Sequence, residues 1–413
     1  MTPRERVLAA LDHAQPDRVP IDFGGHRSSG IAAIAYAKLR ARLGLPPRPL
    51  RVYDVIQQLA IVDDDVLDRF AVDPIELGRG FALDDASWAD WVLPDGTPCQ
   101  VPVWARPVRR EGEWVIQSRS GRVIARMPDG ALYFEQCHWP FLETDDLDAL
   151  PDAMADCAWT ALRSPPGPLS SDALAAGARR LRARTDRAIL GLFGGNLLET
   201  GQFLYRTDGF MTLLAGDRAR AHRFLEVLTG LHLADLEQFL AAVGPCLDVI
   251  VFGDDLGMQT GPQISPAMYR EFFKPHHRRM WQRAKELAPV KVMLHCCGGV
   301  RELLPDLIAA GLDAINPVQT SAAGMDPAGL KRDFGDAITF WGGGCDTRDI
   351  LPHGTPETIR RHVHERIGIL SSGGGFVFQQ VHNILADVPP DNILAMFDAA
   401  AAAPPPRLSS RAK

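Results

Sequence analysis

The chain has 413 residues, 46% of them hydrophobic and 23% charged, with a formal net charge of −7. That is the balance of an ordinary globular protein, and it excludes the strongly basic surface that nucleic acid or anionic lipid would require. No apolar run is long enough to span a bilayer, the start MTPRERVLAALDHAQPDRVP has no signal-peptide core, and seven cysteines do not form a disulfide framework, so a reducing cytoplasm is expected.

In chain order, eight segments read as strands closed by polar or glycine-rich turns: 18–24, 73–80, 188–195, 246–255, 290–298, 312–319, 338–346 and 375–383. Most have a continuous apolar middle, as parallel strands buried on both faces do. Amphipathic helical patterns lie between them. SSGIAAIAYAKLRARLGL follows the first segment, DRARAHRFLEVLTGLHLADLEQFLAAVG precedes the fourth, and SPAMYREFFKPHHRRMWQRAKELA follows the fourth. Ser265 before Pro266 has the signature of an N-cap followed by proline in the first turn, and Asp326-Pro327 and Thr355-Pro356 repeat it. Pro275 should kink or break its helix. Strand–helix alternation repeated eight times predicts an α/β fold of the (β/α)8 TIM-barrel kind. A doubly wound sheet is the competing architecture, and the missing GxGxxG after the first strand argues against it.

Residues 84–150 break the rhythm. Short alternating segments there are separated by Asp95-Gly96, Ser120-Gly121 and Asp129-Gly130, which predicts an antiparallel β insertion. The expected organisation is one barrel domain over 1–413, with this insertion and a frayed tail from about residue 402.

In a barrel, residues just past the C-terminal ends of the strands share one mouth. That rule gathers Asp22, His26, Arg79, Glu199, Asp254, Asp255, His295, Cys297, Asn316, Gln319, His382 and Asn383 as site candidates. The sharpest signal is Leu294-His295-Cys296-Cys297-Gly298-Gly299. Alternate residues of a strand share a face, so His295 and Cys297 can face one metal ion, and a thiolate with an imidazole suits zinc. The plainer reading is a pair of buried thiols acting as small hydrophobes. One of Asp254 and Asp255 reads as a metal ligand or general base, or both as N-cap or turn residues after a strand, and Glu199 could equally be a helix-start carboxylate. His276 and His277, mid-helix, read as surface or packing residues. Of the two triple-glycine stretches, Gly342–Gly344 is the one expected to face a ligand.

The stretches DRVPIDFGG, GDDLGMQTGPQISPAMYREFFKP, LHCCGGVRELLPDLIAAGLDAINPVQ, FWGGGCDTRDILPHGTPE and FVFQQVHNILADVPPDNILAMF resemble the uroporphyrinogen decarboxylase superfamily. His295-x-Cys297 resembles the zinc-binding pair of its cobalamin-related methyltransferase branch, while Gly24–Ser29 lacks the arginine motif of the decarboxylases. The resemblance implies a (β/α)8 barrel and a zinc-dependent methyltransferase or demethylase. It would move a methyl group between a small O-, N- or S-methylated substrate, or a thiol, and a corrinoid on a partner protein. Zinc would be held by His295, Cys297 and His382, the last standing where the branch has a later cysteine. The fourth position stays open among Asp254, Asp255, Cys345 and water. Asp254, Asp255 and Glu199 would carry the catalysis. Asp22, His26, Arg79, Asn316, Gln319 and Asn383 would contact the substrate. A homodimer is implied by resemblance alone. Two other readings stay open: a metal-free decarboxylase of a polycarboxylate, and a non-catalytic corrinoid- or tetrapyrrole-binding subunit.

Overall fold

The computed structural model describes residues 1–81, 83–144, 146–161 and 170–403. Seven parallel strands pair in the spatial order Phe376–Val377, Thr339–Trp341, Ala314–Asn316, Lys291–His295, Val249–Gly253, Ala188–Gly194 and Pro74–Glu76. The two outer strands are joined through Ile21. Ile21 bridges Phe378 in parallel, the Asp22 amide donates to the Phe378 carbonyl at 2.8 Å, and the Asp73 amide donates to the Ile21 carbonyl at 2.8 Å. The ring is therefore a closed (β/α)8 barrel, and each of the eight expected segments supplies one of its staves.

Inside the ring, Ala188 and Leu190, then Val249 and Val251, alternate inward and meet Met293, Ala314, Trp341 and Val377. This is the layered side-chain filling expected of such a barrel. The floor is a helix the strand count did not include, Pro3–Leu11, which puts Val7, Ala10 and Leu11 into the same cluster. Its start is a capping box in which Thr2 and Glu5 satisfy each other's backbone amides.

A buried ion network locks the ring at this end. The Asp73 carboxylate has no exposed surface. It accepts from the Ile21 amide at 2.8 Å, Arg6 Nη1 at 2.6 Å and Arg18 Nη1 at 2.7 Å. One side chain thus ties the first stave to the second and both to the floor helix.

Between the second and third staves lie a hairpin, Trp88–Val92 with Pro98–Pro102, and a four-stranded antiparallel sheet from Val108–Arg110 to Glu135–Gln136. Gly96, Gly121 and Gly130 take φ of +86°, +84° and +82° at the three expected turns, a backbone region that glycine enters without steric cost. Ser265, Asp326 and Thr355 each cap a helix through the side-chain oxygen. Pro275 does end a regular helix, through a π-helical turn over Tyr269–Phe273, after which it sits in the first turn of Lys274–Leu287. His276 and His277 are both buried, at 6% and 1% exposure, against the surface role considered for them. The last described helix is Pro390–Ala402; the tail beyond 403 lies outside the described residues.

The ion network makes a quantitative expectation. Asp73→Ala should cost about 3–5 kcal/mol, because it strips a buried arginine of a partner and opens the seam at Ile21. Urea unfolding measures this; a loss below about 1 kcal/mol would show that the seam does not depend on Asp73.

Candidate metal centre

The C-terminal ends of the strands open into a cavity of about 310 Å³. His26, Arg27, Ser28, Glu199, Asp255, His295 and His382 give it a polar floor, and Trp159, Leu192, Phe193, Phe203 and Val251 give it apolar walls. Trp159 and Phe203 stack with ring centroids 5.9 Å apart.

His295 and His382 on the floor, and Cys297 beside them, each offer a ligand atom, and those atoms all lie within 4.8 Å of one another. His295 ends its strand and Cys297 follows two residues later. His295 Nε2 lies 3.4 Å from Cys297 Sγ. His382 arrives from the eighth stave with φ +65°. That left-handed conformation is uncommon for a residue with a side chain, and it comes with the two imidazoles 5.4 Å apart. As alternation predicts, Cys296 turns away; its Sγ accepts from the Leu256 amide at 3.2 Å.

The protonation pattern of His295 follows from its neighbours. The Trp341 main-chain carbonyl can only accept, and it takes a hydrogen bond from Asn316 Nδ2 at 2.8 Å. Asn316 Nδ2 also donates to Gln379 Oε1 at 2.8 Å. The other end of the Asn316 amide is therefore oxygen, an acceptor only. His295 Nδ1, 2.7 Å from it, must carry the hydrogen. In the neutral ring this tautomer leaves the lone pair on Nε2, toward Cys297 and His382, as a metal-binding imidazole requires. Burial, and then the neighbouring His295, hold the His382 imidazole down to about 3, so this ring is neutral at ordinary pH. Burial first, then Asp255, Cys296 and Glu199, push the Cys297 thiol well above its usual range.

The two adjacent aspartates have separate tasks. Asp254 is fully buried; its two oxygens accept from the Leu198 and Glu199 amides at 3.1 and 3.0 Å, and His277 Nε2 lies 3.3 Å away. It caps the helix Leu198–Tyr205 from the end of the neighbouring strand and does not line the cavity. Asp255 does line it. Its Oδ1 accepts from the Cys297 amide at 2.7 Å and lies 3.8 Å from His295 Nε2. Glu199, placed by the helix that Asp254 caps, accepts from the Asp255 amide at 2.9 Å and from Asn196 Nδ2 at 2.6 Å. Burial, Asp255 and Asp254 raise its carboxyl well above the usual carboxylate range, which suits a proton donor.

The remaining sequence-chosen residues divide. His26 lines the cavity, with Nε2 3.2 Å from Gln379 Oε1. Asp22 lies buried, accepting from Trp341 Nε1 at 2.7 Å, and burial raises its carboxyl to about 7. Asn316 supports His295 from below instead of facing the cavity. Gln319 Oε1 holds the Gly298 amide at 2.8 Å, and Asn383 Oδ1 holds the Gly30 amide at 2.8 Å; both brace loops. Arg79 is not brought to the mouth; it pairs with Asp64 beside a different cavity. Cys345 is buried with Sγ toward the Asp346 carbonyl, outside the ligand group. Gly342–Gly344 do not line the cavity, where Gly194 and Gly195 appear instead. Beyond the residues that the sequence points to, Ser28 Oγ lies 3.4 Å from His295 Nε2, the Trp341 carbonyl orients Asn316, and Gln57 lines the cavity and accepts from Asn383 Nδ2 at 3.2 Å. The GHRSS polar cluster was the available signal for Ser28.

The uroporphyrinogen decarboxylase (URO-D) family model matches residues 176–403. A methylated-thiol–coenzyme M methyltransferase of Methanosarcina mazei is 29% identical over 154 residues, which is 37% of each chain. A uroporphyrinogen decarboxylase of Thermus thermophilus is 28% identical over 187 residues, covering 44% of this chain and 48% of the relative. One of Psychromonas ingrahamii is 30% identical over 142 residues, covering 34% and 38%. The chain thus spans less than half the length of these curated relatives. A solved methyltransferase from Methanosarcina mazei superposes with a TM-score of 0.58 at 15% identity, covering 97% of this chain and 98% of that one, and shares the fold. Among the described residues no helix is long and apolar enough to cross a membrane.

Two outcomes follow. Asn316→Leu should weaken the affinity of this candidate centre for an added divalent metal ion by about 10–100-fold, the usual cost of losing a partner that orients a ligand; competition against a chromophoric chelator measures it, and an unchanged affinity would mean that His295 is held by other contacts. In the metal-free protein, His26 and His382, both held near 3 against an ordinary 6.5, should stay neutral from about pH 5 to 8. Proton NMR of the imidazoles checks this, and a midpoint near 6.5 for either ring would contradict its burial.

Proposed function

The chain belongs to the uroporphyrinogen decarboxylase family, whose model matches residues 176–403, and from that premise we propose that it is a zinc-dependent methyltransferase or demethylase. It would move a methyl group between a small O-, N- or S-methylated substrate, or a thiol, and a corrinoid carried by a partner protein. The observation that carries the reading is the convergence of His295, Cys297 and His382 within 4.8 Å. One sulfur and two imidazole nitrogens are a zinc-type donor set, and three protein ligands with one open position are the pattern of a catalytic site. Zinc, when bound, acidifies a thiol or makes a methylated heteroatom a better leaving group.

The chain's own residues supply the rest. Asn316 keeps the His295 lone pair on Nε2. Asp255 braces the Cys297 backbone and orders the loop that presents the thiol. Glu199, whose carboxyl beside the cavity is raised well above the usual carboxylate range, would hold a proton for the departing heteroatom. Trp159, Phe203 and Phe193 exclude water and contact the apolar part of the substrate. Arg27 is ion-paired to Asp54 at 2.8 Å, so it is not an uncommitted arginine for a polycarboxylate. With the missing arginine motif, this favours methyl transfer over metal-free decarboxylation. A cytoplasmic location, from the cysteine usage and the opening residues, and a homodimer, on family resemblance, belong to the same proposal.

Elemental analysis of the wild type and Cys297→Ser, purified side by side, tests the reading. About one zinc per chain in the wild type and little in the variant is the expected outcome. A wild type that neither carries nor takes up zinc would overturn it, and carbon dioxide release that survives chelation would favour the decarboxylase.

A further inference from the structure

We infer that a second cavity, beside the barrel mouth, binds a small zwitterion of amino-acid type, with its ammonium group at Glu76 and its carboxylate toward Arg184. The cavity measures about 220 Å³, room for a molecule of that size, and lies between the second stave and the antiparallel insertion. Its inner wall holds Glu76, a carboxylate only 6% exposed, to which no hydrogen bond is made among the described residues. Three more polar atoms on the same lining are buried and unpartnered: Tyr53 Oη, Trp104 Nε1 and Arg79 Nε. Buried polar groups are nearly always satisfied in native proteins. Three exceptions beside a buried carboxylate, around one void, therefore point to something that fills it.

Charge bookkeeping gives the chemistry. The lining carries Arg51, Arg79 and Arg184, and Asp63, Asp64 and Glu76. Arg51 is paired with Asp85, Arg79 with Asp64, and Asp63 with Arg40. Glu76, whose carboxyl burial raises to about 7 against the opposing charges of Arg27 and Arg79, and the surface Arg184 make no ion pair among the described residues. A ligand that neutralises both carries one charge of each sign. Its carboxylate end would meet the donors Arg184, Arg79 Nε–H and Trp104 Nε1–H. Its ammonium end would meet the acceptors Glu76 and Tyr53 Oη. The site is separate from the metal centre: it and the mouth cavity have no lining residue in common.

The experiment is a thermal-denaturation and calorimetric titration of the purified full chain with glycine, β-alanine, 4-aminobutanoate and glycine betaine. Acetate and methylammonium, each carrying half of the charge pattern, serve as controls. At least one zwitterion should give a saturable rise in melting temperature that neither control reproduces. Glu76→Gln and Arg184→Met should each weaken that binding by about tenfold or more. Arg184 is on the surface, so its variant stands if the Glu76 variant fails to fold. Zinc content should match the wild type in both variants, which separates this outcome from that of the metal-site reading. No shift with any zwitterion, an equal shift with acetate alone, or binding that survives both substitutions would overturn the proposal.

Discussion

A main-chain carbonyl can accept a hydrogen bond and never donate one, and at Trp341 that restriction propagates to the metal centre. It fixes which end of the Asn316 amide is nitrogen, and so places the His295 hydrogen on Nδ1. The free lone pair of His295 then points into the mouth, beside Cys297 and His382. Three staves of the barrel contribute to this chain of donors and acceptors: Trp341, Asn316 and His295 each sit at the end of a strand. The ring must close with the right register for the three to meet. The Asp73 network at the opposite end, which holds Ile21 against the second stave, therefore serves the site as well as the fold.

The carboxylates follow the same economy of direction. Asp254 and Asp255 are consecutive at the end of one strand and face opposite ways. The first is consumed in holding the helix that bears Glu199; the second faces the cavity and braces Cys297. Glu199 then accepts from the Asp255 backbone. The acid, the thiol and the imidazoles are thus mutually positioned, and a change at Asp254 would be felt at Glu199 without any contact with substrate.

Much of this was legible in the residues. The eight staves announced themselves because a parallel strand buried on both faces needs an unbroken apolar middle, as in VIVFG over Val249–Gly253. The insertion turns were marked by glycine where a positive φ is required. His295-x-Cys297 could be placed on one face from the two-residue period alone. Other features were hidden for physical reasons. The same period says that Asp254 and Asp255 diverge but not which one faces the mouth. Arg79 follows its strand by three residues, but a 3-10 turn over Leu77–Gly80 carries it to another cavity. The burial of His277 depends on a distant partner, Asp254. The floor helix could have been read from Thr2-Pro3-Arg4-Glu5, a capping-box pattern with proline in the first turn.

The central claim is that two imidazoles and one thiolate meet on a single zinc ion. X-ray absorption at the zinc edge, on protein as purified, tests it most directly. The account predicts one sulfur at about 2.3 Å and two or more nitrogen or oxygen neighbours at about 2.0–2.1 Å. A shell of light atoms without sulfur would contradict it, because Cys297 would then stand outside the centre and the geometry around His295 would need another explanation.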